Sequence, residues 1–305
     1  MKVDKTSRTA QYMAFFRALE TKRKNGRKLF SDPFAIHFLD SGLQLAVKAS
    51  NIPLFKSYLN KIIHKKVPGA YSSGLARTKY IDDLVERTIK GGVTQVMILG
   101  AGFDTRASRL NFLQFIPVIE IDHPNTSNFK IDTYKKQMGE LPKNVTYCQI
   151  DFNKESLDDL ARKYGFSFTK PITIIWEGVT NYLTAEAIDN TFAFVSKYPT
   201  GSYVIFTYVH KQILENPGAF FGGGKLLKDL EKMEERWTFG FYPDELSSYL
   251  SRFGLTLMED LGATEYRQKY LPERTEDGYE FYRVAITKKN RSTIADFDLQ
   301  LDPGA

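Results

Sequence analysis

The chain is short of the residues that build metal clusters and covalent staples. Cys148 is its one cysteine, which rules out an internal disulfide or a cysteine-only zinc site, and nothing requires an oxidising compartment. Histidine occurs four times, at His37, His64, His123 and His210, and no metal is expected. No stretch approaches the ~18 consecutive apolar residues of a membrane span. The start, MKVDKTSRTAQYMAFF, has no apolar core of the kind a secretory leader carries. These absences point to a cytoplasmic chain without a membrane span. What is present is ordinary globular material: 305 residues, 42 % hydrophobic and 26 % charged, enough for one large core.

The charge is unevenly placed. Residues 1–90 carry 18 Lys and Arg against 7 Asp and Glu, whereas the remaining 215 carry 24 against 29. A basic first third can draw in anions, or it can consist of solvated helix faces such as those of Lys22, Arg23, Lys61, Lys65 and Lys66. No aromatic residues interleave as a nucleic-acid platform needs, so no nucleic-acid partner is expected.

Two textures meet near residue 91. Before it, apolar residues recur at helical spacing, and breaks at Asn25-Gly26, Asp32-Pro33, Asn51-Ile52-Pro53 and Pro68-Gly69 separate about four helices. Ser7 or Thr9 is placed to cap the first. After residue 91, apolar runs at 93–99, 117–122, 145–151, 171–177 and 202–209 alternate with helical patterns around 105–113, 125–138, 154–164 and 184–197. That alternation predicts an α/β doubly wound parallel sheet with buried strands, whose ligands bind at the carboxyl ends of the strands. Residues 211–250 read as a helical insertion broken at Gly222–Gly224. Residues 256–262 and 279–287 read as two last strands forming an antiparallel edge. The expected division is a helical lid over 1–90, a ligand-binding domain over 91–290 and a polar tail over 291–305.

The first strand runs into Gly100-Ala101-Gly102-Phe103-Asp104-Thr105-Arg106. Two glycines allow a tight turn and close approach of a ligand, but Thr105 stands where a dinucleotide fingerprint has its third glycine. A nicotinamide enzyme is therefore disfavoured, and a nucleoside without phosphates fits better. Acidic residues then mark the ends of three successive strands. Asp122, 20 residues beyond Gly102, suits ribose hydroxyls, with Glu120 as its rival. Asp151 suits an adenine amino group with Phe152 beside it, and Glu177 a positively charged amino or sulfonium group.

Together these residues carry a resemblance. ILGAGFDTRASRL (98–110), IEIDHP (119–124), IIWEGVTNYL (174–183) and WTFGFYPDEL (237–246) are similar to the leucine carboxyl methyltransferase family, in particular its bacterial S-adenosylmethionine-dependent branch. The resemblance runs in order from about residue 5 to 287 and includes LFSDPFAIHF (29–38) and ARTKYIDDLV (76–85). It implies a Rossmann-like class I methyltransferase fold with seven strands, the last antiparallel, and S-adenosyl-L-methionine as cofactor. It also implies that Arg77 clasps the methionine carboxylate, Gly100 and Gly102 line the methionine end, Asp122 holds the ribose, Asp151 and Phe152 the adenine, and Glu177 the methionine portion. A planar guanidinium suits a carboxylate better than an ammonium does. The family usually has Leu at the Phe152 position, and the bacterial branch has Leu or Met where Thr180 and Asn181 stand. Those two positions follow the fourth strand and are expected to face the substrate.

The expected activity is O-methylation of a carboxylate or hydroxyl of a small molecule or peptide. The alternative is a non-catalytic module that binds the same nucleoside. A carboxylate arrives ionised, whereas a hydroxyl needs a base, for which His210 with Tyr208 beside it is the candidate. Trp176 and Trp237 read as core, and Cys148 as a buried structural thiol. The acceptor's identity and the oligomeric state are not legible.

Overall fold

The computed structural model describes residues 8–24, 26, 28–152 and 154–290. Ser7, one of the two proposed caps, and the tail over 291–305 lie outside the described residues. Four helices come first: α1 (Arg8–Thr21), α2 (Ser41–Ala49), α3 (Pro53–Lys66) and α4 (Ala70–Lys90). Then follow β1 (Val96–Leu99), α5 (Arg106–Arg109), β2 (Val118–Asp122), α6 (Pro124–Met138), β3 (Val145–Gln149), α7 (Leu157–Tyr164), β4 (Thr173–Trp176), α8 (Ala185–Val195) and β5 (Tyr203–Val209). The chain closes with α9 (Gln212–Glu215), α10 (Gly223–Lys232), α11 (Pro243–Ser251), β6 (Leu255–Gly262), α12 (Ala263–Tyr270) and β7 (Tyr282–Lys289).

The strands form one sheet in the order β3-β2-β1-β4-β5-β7-β6. The first five are parallel, and β7 enters antiparallel between β5 and β6. This is the Rossmann-like class I methyltransferase arrangement expected. The sheet's alternation divides the core. In β1, Val96 and Ile98 pack with α1 and α4, whereas Met97 and Leu99 pack with α7, α8 and α11. A third apolar cluster gathers Val209, Ile213, Leu230, Trp237 and Phe281 beyond the end of β5.

Three expectations need correction. β3 is not a buried strand: it lies at the sheet edge, pairs only with β2, and buries Cys148 while exposing Thr146. It ends at Gln149, so Asp151 stands in the loop beyond it rather than at its last position. The last two strands do pair antiparallel at the edge as expected, with α12 lying between them in sequence and packing against α4. Thr9 does not cap α1; it sits inside the helix, and its hydroxyl donates to Glu235.

Candidate functional site

The strand order reverses on either side of β1, which pairs with β2 on one edge and β4 on the other. At such a switch point the loops diverge and leave a crevice. Here it opens into a cavity of about 1520 Å³. Arg77, Gly100, Gly102, Asp122, Asp151, Phe152 and Glu177 all line it. The structure thus brings together every residue expected to hold the cofactor.

The glycine bend is fixed by its neighbours. The Gly100 and Ala101 amides donate to the Ile121 carbonyl at 2.8 and 3.0 Å, which turns the chain across the end of β2. Gly100 has φ +65°, and a Cβ there would stand 2.4 Å from Cγ2 of Val179. No side chain fits that position without moving the loop after β4.

Around the bend lies a buried web of charge. Arg106 donates to Asp82 at 2.8 Å, reaches Glu177 at 2.8 Å and pairs with Asp104. Arg109 grips both oxygens of Asp82 at 2.7 Å. Arg17 donates to Asp32 at 2.8 Å and to the Phe103 carbonyl, while Thr105 donates to the same Asp32 at 2.7 Å. Arg77 donates through Nε to Glu177 at 2.9 Å and lies over the Tyr282 ring, 4.5 Å from its centre. Four arginines thus meet four carboxylates, and α1, α4, the bend and β4 are tied at one place. Burial pushes the Glu177 and Asp104 carboxyls up, but the adjoining guanidiniums, with Lys130 also acting on Asp104, outweigh it. Glu177 lies below its ordinary range and Asp104 falls to about 2.

Asp122 and Glu120 take different roles. Asp122 accepts from the Gly102 and His123 amides, the latter at 2.6 Å, and burial outweighs these bonds to push its carboxyl up. Glu120 is 4 % exposed, is held by Lys130 at 2.7 Å and is pushed up to about 7 by burial. Glu120 does not line the cavity. Phe152 is exposed at 57 %, and Asp151 pairs with Lys154 at 3.1 Å.

His210 and Tyr208 are not brought to the cavity. The Tyr208 hydroxyl donates to Asp260 at 2.6 Å and accepts from Arg283 at 3.0 Å, so it closes a side-chain network at β5, β6 and β7. Nδ1 of His210 accepts from the Gln212 amide at 3.2 Å, and its ring packs against Phe220 and Tyr242. Burial, aided by Arg283, lowers its pKa.

The family model for leucine carboxyl methyltransferase matches residues 10–196, well over half of the chain. The chain belongs to the leucine carboxyl methyltransferase family. Among its relatives is a Streptomyces avermitilis protein, 29 % identical over 212 residues, covering 69 % of this chain and 72 % of that one. Two Mycobacterium marinum relatives are 30 % and 33 % identical; this chain spans 61 % and 50 % of their lengths, and 64 % and 53 % of its own is covered. All three carry the name "Putative S-adenosyl-L-methionine-dependent methyltransferase". In fold the chain is similar to a DUF574 family protein from Streptomyces avermitilis, with a TM-score of 0.58 at 13 % identity over 90 % of this chain and 96 % of that one. It is similar as well to a Thermobifida fusca structure described as "a putative methyltransferase", with a TM-score of 0.57 at 15 % identity over 91 % and 94 %.

In this leucine carboxyl methyltransferase family member the far part of the cavity has another character. Leu59 and Ile63 of α3, and Leu226 and Met233 at α10 give it apolar walls, whereas the Met13 sulfur of α1 lies 3.4 Å from an Arg77 nitrogen. One buried polar atom there lacks a hydrogen-bond partner, Oδ1 of Asn181, whose residue is 1 % exposed, whereas the Trp237 indole N–H faces the Tyr182 hydroxyl. Of the two positions expected to face the substrate, only Asn181 lines the cavity. Thr180 is buried and donates to the Thr207 carbonyl at 2.6 Å. Trp176 is core as expected, whereas Trp237 both packs on Phe281 and lines the cavity. Among the described residues, no group of three His, Cys, Asp or Glu side chains is placed to hold a metal ion, and no helix is long and apolar enough to cross a membrane.

The web of Arg17, Asp32, Asp82, Asp104, Arg106 and Arg109 received no role in the sequence reading. One signal for it was present. Arg77, Ile81, Asp82 and Val85 form one stripe of α4, and charges on a core-facing stripe ask for buried partners.

Proposed function

We propose that this chain is an S-adenosylmethionine-dependent O-methyltransferase whose acceptor is a carboxylate on a small molecule or peptide. The observation that carries the reading is the convergence of Arg77, the glycine bend, Asp122, Asp151, Phe152 and Glu177 on one cavity at the switch point. The donor set matches the nucleoside's chemistry. The Arg77–Glu177 pair offers a cation to an amino-acid carboxylate and an anion to its ammonium. Asp122 retains lone pairs for vicinal hydroxyls, and the Asp151–Phe152 loop offers an acceptor and an apolar face to a purine. Bound there, S-adenosylmethionine would supply an electrophilic methyl group.

The chain's own part is placement. Catalysis by holding two partners in line needs rigid walls and excluded water rather than a proton shuttle. The charge web supplies the rigidity. The helices over residues 1–90 and α10 act as lid and substrate wall. A carboxylate acceptor arrives ionised at neutral pH and needs no general base. The family's own chemistry and the absence of His210 and Tyr208 from the cavity support this choice over a base-dependent hydroxyl. The second reading, a hydroxyl acceptor, draws on Oδ1 of Asn181, which can accept from an O–H but has no use for a carboxylate.

The test is transfer of tritium-labelled methyl from S-adenosylmethionine into a metabolite and peptide extract, followed by alkali. Label released as methanol marks a methyl ester and supports the carboxylate. Label that survives alkali excludes an ester, and label then found on oxygen by mass spectrometry of the product favours the hydroxyl. Tight binding of the nucleoside without transfer would mean a non-catalytic module.

A further inference from the structure

The outward faces of α2 and α3 are unlike the rest of the surface. Among the described residues eleven large apolar side chains are exposed, and most stand singly, as surface hydrophobes ordinarily do. Four of them crowd into α2, α3 and the turn between: Leu45 at 67 %, Ile52 at 57 %, Leu54 at 85 % and Tyr58 at 62 % exposure. Leu54, Tyr58, Lys61 and Lys65 follow one another at helical spacing along the outer face of α3, and Leu45 and Lys48 do so on α2. No Asp or Glu occurs anywhere from residue 41 to residue 81. The surface is therefore apolar at the turn and cationic along its flanks, with Asp40 at the start of α2 and Glu276 beside Lys61 as acids at its margin.

We propose that this face docks the chain on the surface of an anionic lipid bilayer. Aliphatic side chains at a helix turn reach the acyl boundary, while flanking lysines meet the phosphates, and the two contributions add. A second copy fits less well. A two-fold contact through this face would bring Lys48, Lys61 and Lys65 of both copies together. Nucleic acid fits less well too, since Tyr58 is a single ring beside the aliphatic Leu45, Ile52 and Leu54, and a run of bases needs several rings to stack on. The opposite faces of the same helices, through Leu43 and Ala46 of α2 and Leu59 and Ile62 of α3, wall the cavity. Docking would hold that wall against the headgroups. The inference does not depend on the proposed methyl transfer, and its test reads no activity.

The test is co-sedimentation of the full chain with vesicles of phosphatidylcholine alone and of equal parts phosphatidylcholine and phosphatidylglycerol. The proposal expects sedimentation with the mixed vesicles only, fading above about 0.5 M salt. Leu54→Asp with Tyr58→Ser, and separately Lys61→Ala with Lys65→Ala, should each weaken vesicle binding about tenfold or more while the thermal midpoint stays at wild type. Equal behaviour on both vesicle types, no binding to either, or wild-type binding by both pairs of variants would overturn it. So would a concentration-dependent dimer in sedimentation velocity that Leu54→Asp with Tyr58→Ser abolishes, since the face would then belong to a second copy.

Discussion

The two ends of the cavity are built on opposite principles. Beneath the glycine bend, Arg17, Arg77, Arg106 and Arg109 each meet a carboxylate, and one cluster both joins α1, α4 and β4 and frames the proposed nucleoside site. Beneath α10 the walls are apolar and, among the described residues, no ion pair crosses between Leu226, Met233 and Trp237, while Oδ1 of the neighbouring Asn181 has no hydrogen-bond partner. The difference teaches where change is tolerated. A substitution at the bend disturbs folding and ligand binding together, because removing one member of a buried ion network strands the others. A substitution at Asn181 alters what the cavity accepts, whereas one at Trp237 also disturbs its packing on Phe281 and Tyr282.

Arg106 is the most heavily shared cation of the web. Arg106→Ala leaves Asp82, Asp104 and Glu177 with less cation than they need, and unfolding in urea should show a loss of about 3–5 kcal/mol. A loss under about 1 kcal/mol would mean that the web is not structural. Arg77→Ala should cost about 2–5 kcal/mol of S-adenosylhomocysteine affinity by calorimetry, with Glu177 still held by Arg106. Unchanged affinity would remove the clasp.

Acid sharpens the same contrast. Asp104 titrates near 2 in the folded chain against an ordinary value of 3.8, so its stabilising share is complete above about pH 4 and disappears as pH falls through 2. That share is about 2 kcal/mol, and Asp104→Asn should flatten the fall in unfolding free energy between pH 4 and 2. At the other end, Asn181→Leu should change acceptor KM or kcat/KM by about 1–3 kcal/mol, with donor affinity and melting temperature unchanged. Smallest of all, His210→Ala should leave turnover within about twofold, whereas a hundredfold loss would return a general base to the mechanism.

The sheet was legible because its signals are local. The apolar runs that became β1, β2, β4 and β5, and the glycine bend after the first, are each contained within a few residues, and their order implies the switch point. Asp122 and Glu177 could be placed for the same reason, as acids at strand ends. The edge position of β3 was not legible, because Val145, Tyr147 and Cys148 read as apolar whether one face or two are covered. The web was missed because its pairs join residues as far apart as Arg77 and Glu177 or Thr105 and Asp32, and no periodicity encodes such a pairing. His210 was misjudged because following β5 in sequence is not the same as facing the crevice. The chain after β5 turns under α9, and the ring packs on Phe220 and Tyr242 instead.

The most direct measurement is a crystal structure with S-adenosylhomocysteine bound. It should find the amino-acid end between Arg77 and Glu177, the sugar on Asp122, and the base beside Asp151 and Phe152. A complex with the ligand reversed, or lodged outside the cavity that these residues line, would contradict the account.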